Sequence, residues 1–357
     1  MVQEQQQQQH KESESVLIPA SYLYARGKAE KTNLRASNHE EEKQFPNTMP
    51  NIILLGTLDS KLEEFLYIYD QLVNPSVQTK TPVRVTLIDC GRSPVEHDKI
   101  SISQSDLVSK YGPSNESKSL MDLPRGEVIK FMTECTTSCL KSLIAEGNIH
   151  GIISAGGSGG TTLVAAAMRE AAPIGMPKII ASTVASGDTG PLVGETDITM
   201  MYSVVDIAGS NELLRNVLGN AAGAMIGMAS SYERLLVEQE SRKGQRKTRI
   251  GVTMFGVTTP CVDKARQYLE DTYPVEVFVF HATGHGGRAM ERLIEEGRLD
   301  AVLDITTTEI CDFLMGGVMS AGPTRLEAAL KAGIPNVISF GATGKRTGRV
   351  INHLPSR

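Results

Sequence analysis

The stretch Gly151-Ile152-Ile153-Ser154-Ala155-Gly156-Gly157-Ser158-Gly159-Gly160-Thr161-Thr162-Leu163 decides the fold. Its first four residues read as a short buried strand, the next eight as a glycine-rich turn, and Leu163 to Ala171 as a helix that follows at once. An apolar strand without polar alternation, running through glycines into a helix, belongs to a parallel sheet covered on both faces. Four glycines within Gly156–Gly160 let successive backbone N–H groups turn toward one anion, and the helix end adds positive potential. Ser158, Thr161 and Thr162 join Gly156, Gly157, Gly159 and Gly160 as candidate phosphate contacts. A glycine turn needed only for close helix–sheet packing is the alternative. The Gly-Lys-Ser/Thr end of a Walker loop and the register of a dinucleotide fingerprint are both missing.

Outward from this unit the same alternation recurs. Asn51 to Leu55 reads as a strand ending at Gly56, and Ser60 with Glu63 forms a capping-box pattern opening a helix. Further strands are expected at Val83–Asp89, Lys178–Thr183 and Met200–Val205, and a small-residue helix from about Asn211 to Val237. Glu238 to Thr248 is wholly polar and reads as a linker. Beyond it come strands at Ile250–Phe255, Val275–Phe280, Ala301–Asp304 and Asn336–Phe340, separated by helical stretches. The pattern predicts an α/β protein of two doubly wound, Rossmann-like parallel-sheet subdomains, residues 49–237 and 249–341.

Both ends differ from this body. Residues 1–48, with Gln5 to Gln9 and mixed charges, have the composition of a disordered head, and Met49 stands directly before the first strand as an alternative start. No targeting signal is expected there. Residues 342–357 form a tail with Lys345, Arg346, Arg349 and Arg357, and the second subdomain reads as truncated, which predicts an unpaired strand edge and exposed apolar surface.

Composition narrows the function classes. The 357 residues carry 36 Lys plus Arg against 41 Asp plus Glu, a net charge of −5 that gives no general attraction to nucleic acid. No apolar run approaches the roughly 20 residues of a membrane helix. The cysteines Cys90, Cys135, Cys139, Cys261 and Cys311 are odd in number and spread out, the usage of a reducing compartment, so free and mainly buried thiols are expected in a cytoplasmic protein.

In doubly wound sheets, ligands bind beyond the carboxyl ends of the strands. Besides the central turn, Gly56, Thr57, Asp59 and Lys61 follow the first strand, with Asp59 a candidate for Mg2+ and Lys61 for phosphate, although a surface turn explains them equally. Gly284, Gly286, Gly287 and Arg288 open a helix in the second half and form a second candidate anion site. Thr306 and Thr307 end a later strand, where Thr306 with Glu309 also fits a capping box, and Asp304 is a candidate magnesium or ribose partner. His281, His285 and Asp304 around one cleft would suit an enzyme acting on a phosphorylated metabolite. No catalytic constellation is otherwise legible.

Seven blocks in order carry a resemblance: NIILLGTLDSK from Asn51, GIISAGGSGGTTL from Gly151, PKIIASTVASGDT from Pro177, SVVDIAG from Ser203, IGVTMFGVTTPCV from Ile250, FHATGHGGRAME from Phe280 and VLDITTTEICDFLMGGVM from Val302. Between Asn51 and about Gly341 the chain closely resembles the tomato mosaic virus resistance protein family, which has bacterial and plant members. The resemblance implies an ATP-binding domain of two α/β subdomains that forms a homodimer. It further implies ATP with Mg2+ as ligand and, in a plant-defence setting, inhibition of viral RNA replication through contact with a viral replication protein.

Overall fold

A computed structural model describes residues 49–74, 82–113, 120–241 and 246–344. The expected disordered head and most of the basic tail lie outside them.

The first half folds around one six-stranded parallel sheet. Its elements are β1 (Asn51–Gly56), α1 (Leu58–Val73), β2 (Arg84–Asp89), β3 (Ile100–Ile102), α2 (Gln104–Tyr111), α3 (Arg125–Ala145), β4 (Gly151–Gly156), α4 (Ser158–Ala171), β5 (Lys178–Ser182), α5 (Gly190–Val193), β6 (Thr199–Tyr202) and α6 (Glu212–Ser241). The strand order β3-β2-β1-β4-β5-β6 means that the chain fills one side of β1 before returning to fill the other. Ile52 pairs with Gly151 and Leu54 with Ile153 across that central seam.

Side-chain period dictates the layers. Ile53 and Leu55 face α3 and α4, where Met132, Cys135, Cys139, Leu163 and Met168 complete one core. Ile52 and Leu54 face α1 and α6, where Phe65, Ile68, Leu218, Ala221 and Met225 complete the other. Both strand faces are therefore buried, which is why β4 carries no polar alternation. Small residues on α6 bring the helix close to the sheet, and Gly151 leaves room for Met225, whose sulfur a Cβ there would strike. Cys90, Cys135 and Cys139 are buried, Cys261 is exposed, and all five thiols are free.

The second half is a four-stranded parallel sheet in the order β10-β9-β7-β8. It comprises β7 (Thr248–Met254), α7 (Thr259–Thr272), β8 (Val275–His281), α8 (His285–Glu295), β9 (Ala301–Thr306), α9 (Thr308–Met315), α10 (Glu327–Ala332) and β10 (Asn336–Gly341). At the β10 edge Phe340 is 86% exposed and Val337 61% exposed. Polar contacts join the lobes: Arg292 Nη2 donates to the Ala172 carbonyl at 3.0 Å, and Arg288 Nε donates to Glu195 at 2.6 Å.

Several local expectations change. Helix α6 runs to Ser241, through the start of the expected linker, because Glu-Gln-Glu-Ser sustains a solvated helix as readily as it forms a loop. Helix α1 begins at Leu58 with Thr57 as N-cap and no side-chain cap, so Ser60 and Glu63 form no capping box. Glu309 likewise turns away from its own helix start.

Its destination is a buried ion cluster under the β9 end. The Arg325 guanidinium, 1% exposed, donates to Asp304 Oδ2 at 2.6 Å, to Asp304 Oδ1 at 2.9 Å and to Glu309 Oε2 at 2.8 Å. Glu291 adds a fourth contact at 3.2 Å. Removing the cation would leave two fully buried carboxylates uncompensated. We expect Arg325→Ala to lower the unfolding free energy of the second lobe by about 3–5 kcal/mol, the cost of breaking a buried pair. Urea titration checks this, and a loss below about 1 kcal/mol would remove the cluster from its structural role.

In the first lobe, buried Asp89 at the β2 end accepts from Gly91 N at 2.8 Å and Leu58 N at 3.2 Å. Burial raises its carboxyl from 3.8 to about 6, helped by the charge of Asp59 and opposed by the two amides. Ionising it is thus harder in the fold than in the unfolded chain. The stability it contributes is complete below about pH 4 and is lost as pH rises through about 6. Relative to Asp89→Asn, the wild type should therefore lose about 2–3 kcal/mol between pH 4 and pH 7, read from parallel denaturation curves. A pH-independent difference would contradict the assignment.

Candidate functional site at the sheet switch point

Strand order reverses between β1 and β4, so the loops leaving these two strands diverge to opposite faces and open a crevice between them. A cavity of about 560 Å³ sits there. Thr57, Asp59 and Lys61 line it from the β1 side, Gly157 to Gly160 from the β4 side, Arg92 from beyond β2 and Asp206 from beyond β6. One face of α3, Arg125, Val128, Ile129 and Met132, forms a further wall, beside Cys90, Leu163 and Thr183.

The glycine turn is built as a helix start without a cap. Gly157 occupies the N-cap position of α4 and supplies no side-chain acceptor. The first amides of a helix have no acceptor within it, so these N–H groups at the cavity carry the positive end of the helix dipole. Thr161 is buried and ties the turn down: its hydroxyl lies 2.7 Å from Ser182 Oγ and donates to the Gly156 carbonyl at 3.2 Å. Thr162 donates to the Ser158 carbonyl at 2.8 Å. These two hydroxyls shape the loop, while the amides of Ser158, Gly159 and Gly160 remain available to a ligand.

Cations surround the turn in different states. A Cβ on Gly159 would lie 2.8 Å from Arg125 Nη2, so the absence of a side chain lets this guanidinium lie against the backbone. Among the described residues the Arg125 guanidinium makes no hydrogen bond and no ion pair. Arg92, by contrast, donates to the carbonyls of Leu120, Met121 and Leu123. Lys61 donates to the Ile207 carbonyl and sits at a break in α1, with φ −145° and ψ 31°. Asp59 Oδ2 accepts from Arg92 N at 3.0 Å and Ser93 N at 3.2 Å, fixing the loop after β2.

Gly56 ends β1 outside the cavity lining, where a Cβ would strike the Phe65 ring; the remaining sequence candidates lie in the second lobe, apart from this cavity, whose lining comes wholly from the first. Gly284 N and Gly287 N donate to Glu309 Oε1 at 2.6 and 3.0 Å, so the anion position at the α8 start holds the protein's own carboxylate. Gly286 is required because a Cβ there would strike the His281 carbonyl. Arg288 is engaged by Glu195 and the Ser320 carbonyl. Thr306 Oγ1 lies 2.7 Å from Thr258 Oγ1, Thr307 donates to the Ser339 carbonyl at 3.0 Å, and Asp304 is enclosed by Arg325 and Thr253. Asp59 and Asp304 thus stand in different lobes, and among the described residues no cluster of three or more His, Cys, Asp or Glu side chains is arranged around a metal position. His285 pairs with Glu195 at 3.1 Å.

Arg125 and the α3 face escape a reading confined to strand ends. Their signal is present as the spacing of Arg125, Val128, Ile129 and Met132, which share one side of a helix. Among the described residues no helix is long and apolar enough to cross a membrane.

Comparison with known proteins places this arrangement in a lineage. The N-terminal domain of the uncharacterised protein family UPF0261 matches residues 50–234, and the C-terminal domain of the same family matches residues 247–356. A UPF0261 protein of Clostridium tetani is 47% identical over 82% of this chain and 68% of its own length. The tomato (Solanum lycopersicum) ToMV resistance protein Tm-1(GCR237) and ToMV susceptible protein tm-1(GCR26) are each 39% identical over 82% of this chain, which spans only 39% of their length. The Clostridium tetani protein is thus nearer in sequence than the tomato proteins. A crystal structure of a putative UDP-N-acetylglucosamine 2-epimerase from Listeria monocytogenes is 11% identical, covers 82% of this chain and 79% of its own, and has a TM-score of 0.26, too slight a likeness to carry an argument. On the match of both domains, this chain belongs to the UPF0261 family.

Proposed function

We propose that this chain is an ATP-binding protein whose ligand, with Mg2+, occupies the switch-point cavity of the first lobe and stabilises a surface presented to a protein partner. One observation carries the reading: Arg125, without an acidic partner among the described residues, lies against the uncapped glycine-rich start of α4. Amides and guanidinium converging at one point suit the oxygens of a phosphoryl group. Asp59 and Lys61, at the same cavity, would serve the Mg2+ and the terminal phosphates.

The partner follows from kinship and is proposed at the same level. We further propose a cytoplasmic homodimer whose partner is a viral replication protein, as the family resemblance implies; the tomato names themselves speak only of ToMV resistance and susceptibility. The resistance and susceptible proteins are equally similar to this chain, so overall identity does not separate antiviral action from its lack. For the rival enzymatic reading, Asp304 is buried against Arg325 and His285 pairs with Glu195.

Two outcomes are expected. Calorimetry should detect Mg·ATP binding by wild type and none by Gly159→Asp, whose carboxylate would meet Arg125 and take the phosphate's position, the end of the flexible arginine side chain giving way to it. Equal affinity for the two proteins would move the site elsewhere. Ligand acting as a clamp stabilises the native state by mass action, by about 2.7 kcal/mol at a hundredfold excess over Kd. A non-hydrolysable ATP analogue should therefore raise the melting temperature as much as ATP does; a rise that requires hydrolysis would contradict the clamp.

A further inference from the structure

A second cavity, of about 510 Å³, lies at the other end of the first sheet, where β1, β2 and β4 begin. Asn51, Arg84 and His150 line it from the strands, and Met49 and the last turns of α6 complete it. His150 is only 8% exposed. Its Nδ1 accepts from Asn51 N at 3.0 Å, while its own backbone N–H donates to the Asn51 carbonyl at 2.8 Å. A ring whose Nδ1 lone pair is taken by a backbone donor carries its proton on Nε2. Burial pushes the imidazole pKa down, against the charge of Glu233, which keeps the ring neutral at pH 7. Nε2–H is therefore a donor held in place, and among the described residues nothing accepts from it.

The charges around this donor are sorted by element. The Arg84 guanidinium, exposed at the start of β2, makes no hydrogen bond and no ion pair among the described residues. On α6, Glu233, Leu236, Val237 and Glu240 follow at i, i+3, i+4 and i+7 and share one face. That face sets two carboxylates around an apolar pair, at the helix end where the dipole is negative and no basic residue occupies the last turn. Met49 and Leu236, 44% and 37% exposed, offer apolar surface that a ligand can cover.

We infer that this cavity binds a free α-amino acid with an apolar side chain, its carboxylate held by His150 Nε2 and Arg84 and its ammonium facing the acidic face of α6. An anion alone would meet the charges of Glu233 and Glu240, and a cation alone would leave Nε2–H and Arg84 unanswered. An uncharged apolar molecule would keep a buried donor without an acceptor, which is unfavourable. A molecule with both charges on one carbon and an apolar group beside them answers all three surfaces. The volume falls within the roughly 300–1,000 Å³ of small-molecule sites. The site shares no lining residue with the switch-point cavity, so it stands or falls independently of the nucleotide reading.

Calorimetry on the full chain tests this with L-leucine and L-phenylalanine, each beside its deaminated acid and its decarboxylated amine. Wild type should bind at least one of the amino acids, at least about tenfold more tightly than the matching acid or amine, the value of a charge-assisted contact. Arg84→Gln, at an exposed position, should weaken that binding by about tenfold or more. His150→Asn retains a side-chain oxygen for the Asn51 N–H but loses Nε2–H, and should weaken it by about tenfold. Thermal unfolding establishes that each variant is folded, and if His150→Asn is not, Arg84→Gln decides. Failure of both amino acids to bind wild type, equal or tighter binding of the acid or the amine, or an affinity unchanged in Arg84→Gln would each overturn the assignment.

Discussion

A helix that starts at the carboxyl edge of a parallel sheet presents N–H groups that have no acceptor within the helix, and a capping side chain, water or a ligand must answer them. This constraint recurs in both lobes and is met in different ways. In the second lobe Glu309 answers the amides of Gly284 and Gly287 with one oxygen and Arg325 with the other. In the first lobe the same two kinds of donor, glycine amides and an arginine guanidinium, meet at Gly159, and no carboxylate of the described chain bridges them. The two lobes thus bring the same kinds of donor to a helix start, and in the second lobe a carboxylate of the chain bridges them. That internal comparison is stronger support than a glycine count, because it specifies geometry and charge together.

Precision at such a site depends on what lies beneath it. The loops at the switch point are mounted on β1 and β4, whose faces are sealed by two separate apolar layers. Thr161 bonds to Ser182 on the neighbouring strand, and Asp89 holds the amides of Leu58 and Gly91, so each loop is tied to the sheet by a buried polar contact. Burying that carboxylate costs stability at neutral pH, which the raised Asp89 ionisation reflects. The second lobe makes the opposite choice. It spends its strand-end polar groups on an internal ion cluster, leaving its edge strand apolar and exposed at Phe340.

Local signals were enough to read much of this. Uninterrupted apolar runs marked β1, β4 and β5 as interior parallel strands, and glycine clusters marked their ends. The short, partly exposed strand Ile100–Ile102 carries too little pattern to be recognised, and its place in the sheet comes from pairing with β2. Strand order is also beyond local reading, since only tertiary packing sets the reversal between β1 and β4. Long-range electrostatics produced the other misses. Thr306 with Glu309 has capping-box spacing, but a partner in sequence loses to the cluster around Arg325, which lies 16 positions away. Arg125 stands about one helix and one strand upstream of the glycine turn it covers, and nothing in the spacing of either segment announces that they meet.

The most direct test is a crystal structure of this chain with Mg2+ and ATP at saturating concentration. The account predicts triphosphate oxygens within hydrogen-bond reach of the Gly159 and Gly160 amides and of the Arg125 guanidinium, between β1 and β4. A triphosphate seated in the second lobe, or one that leaves the α4 start untouched, would contradict it.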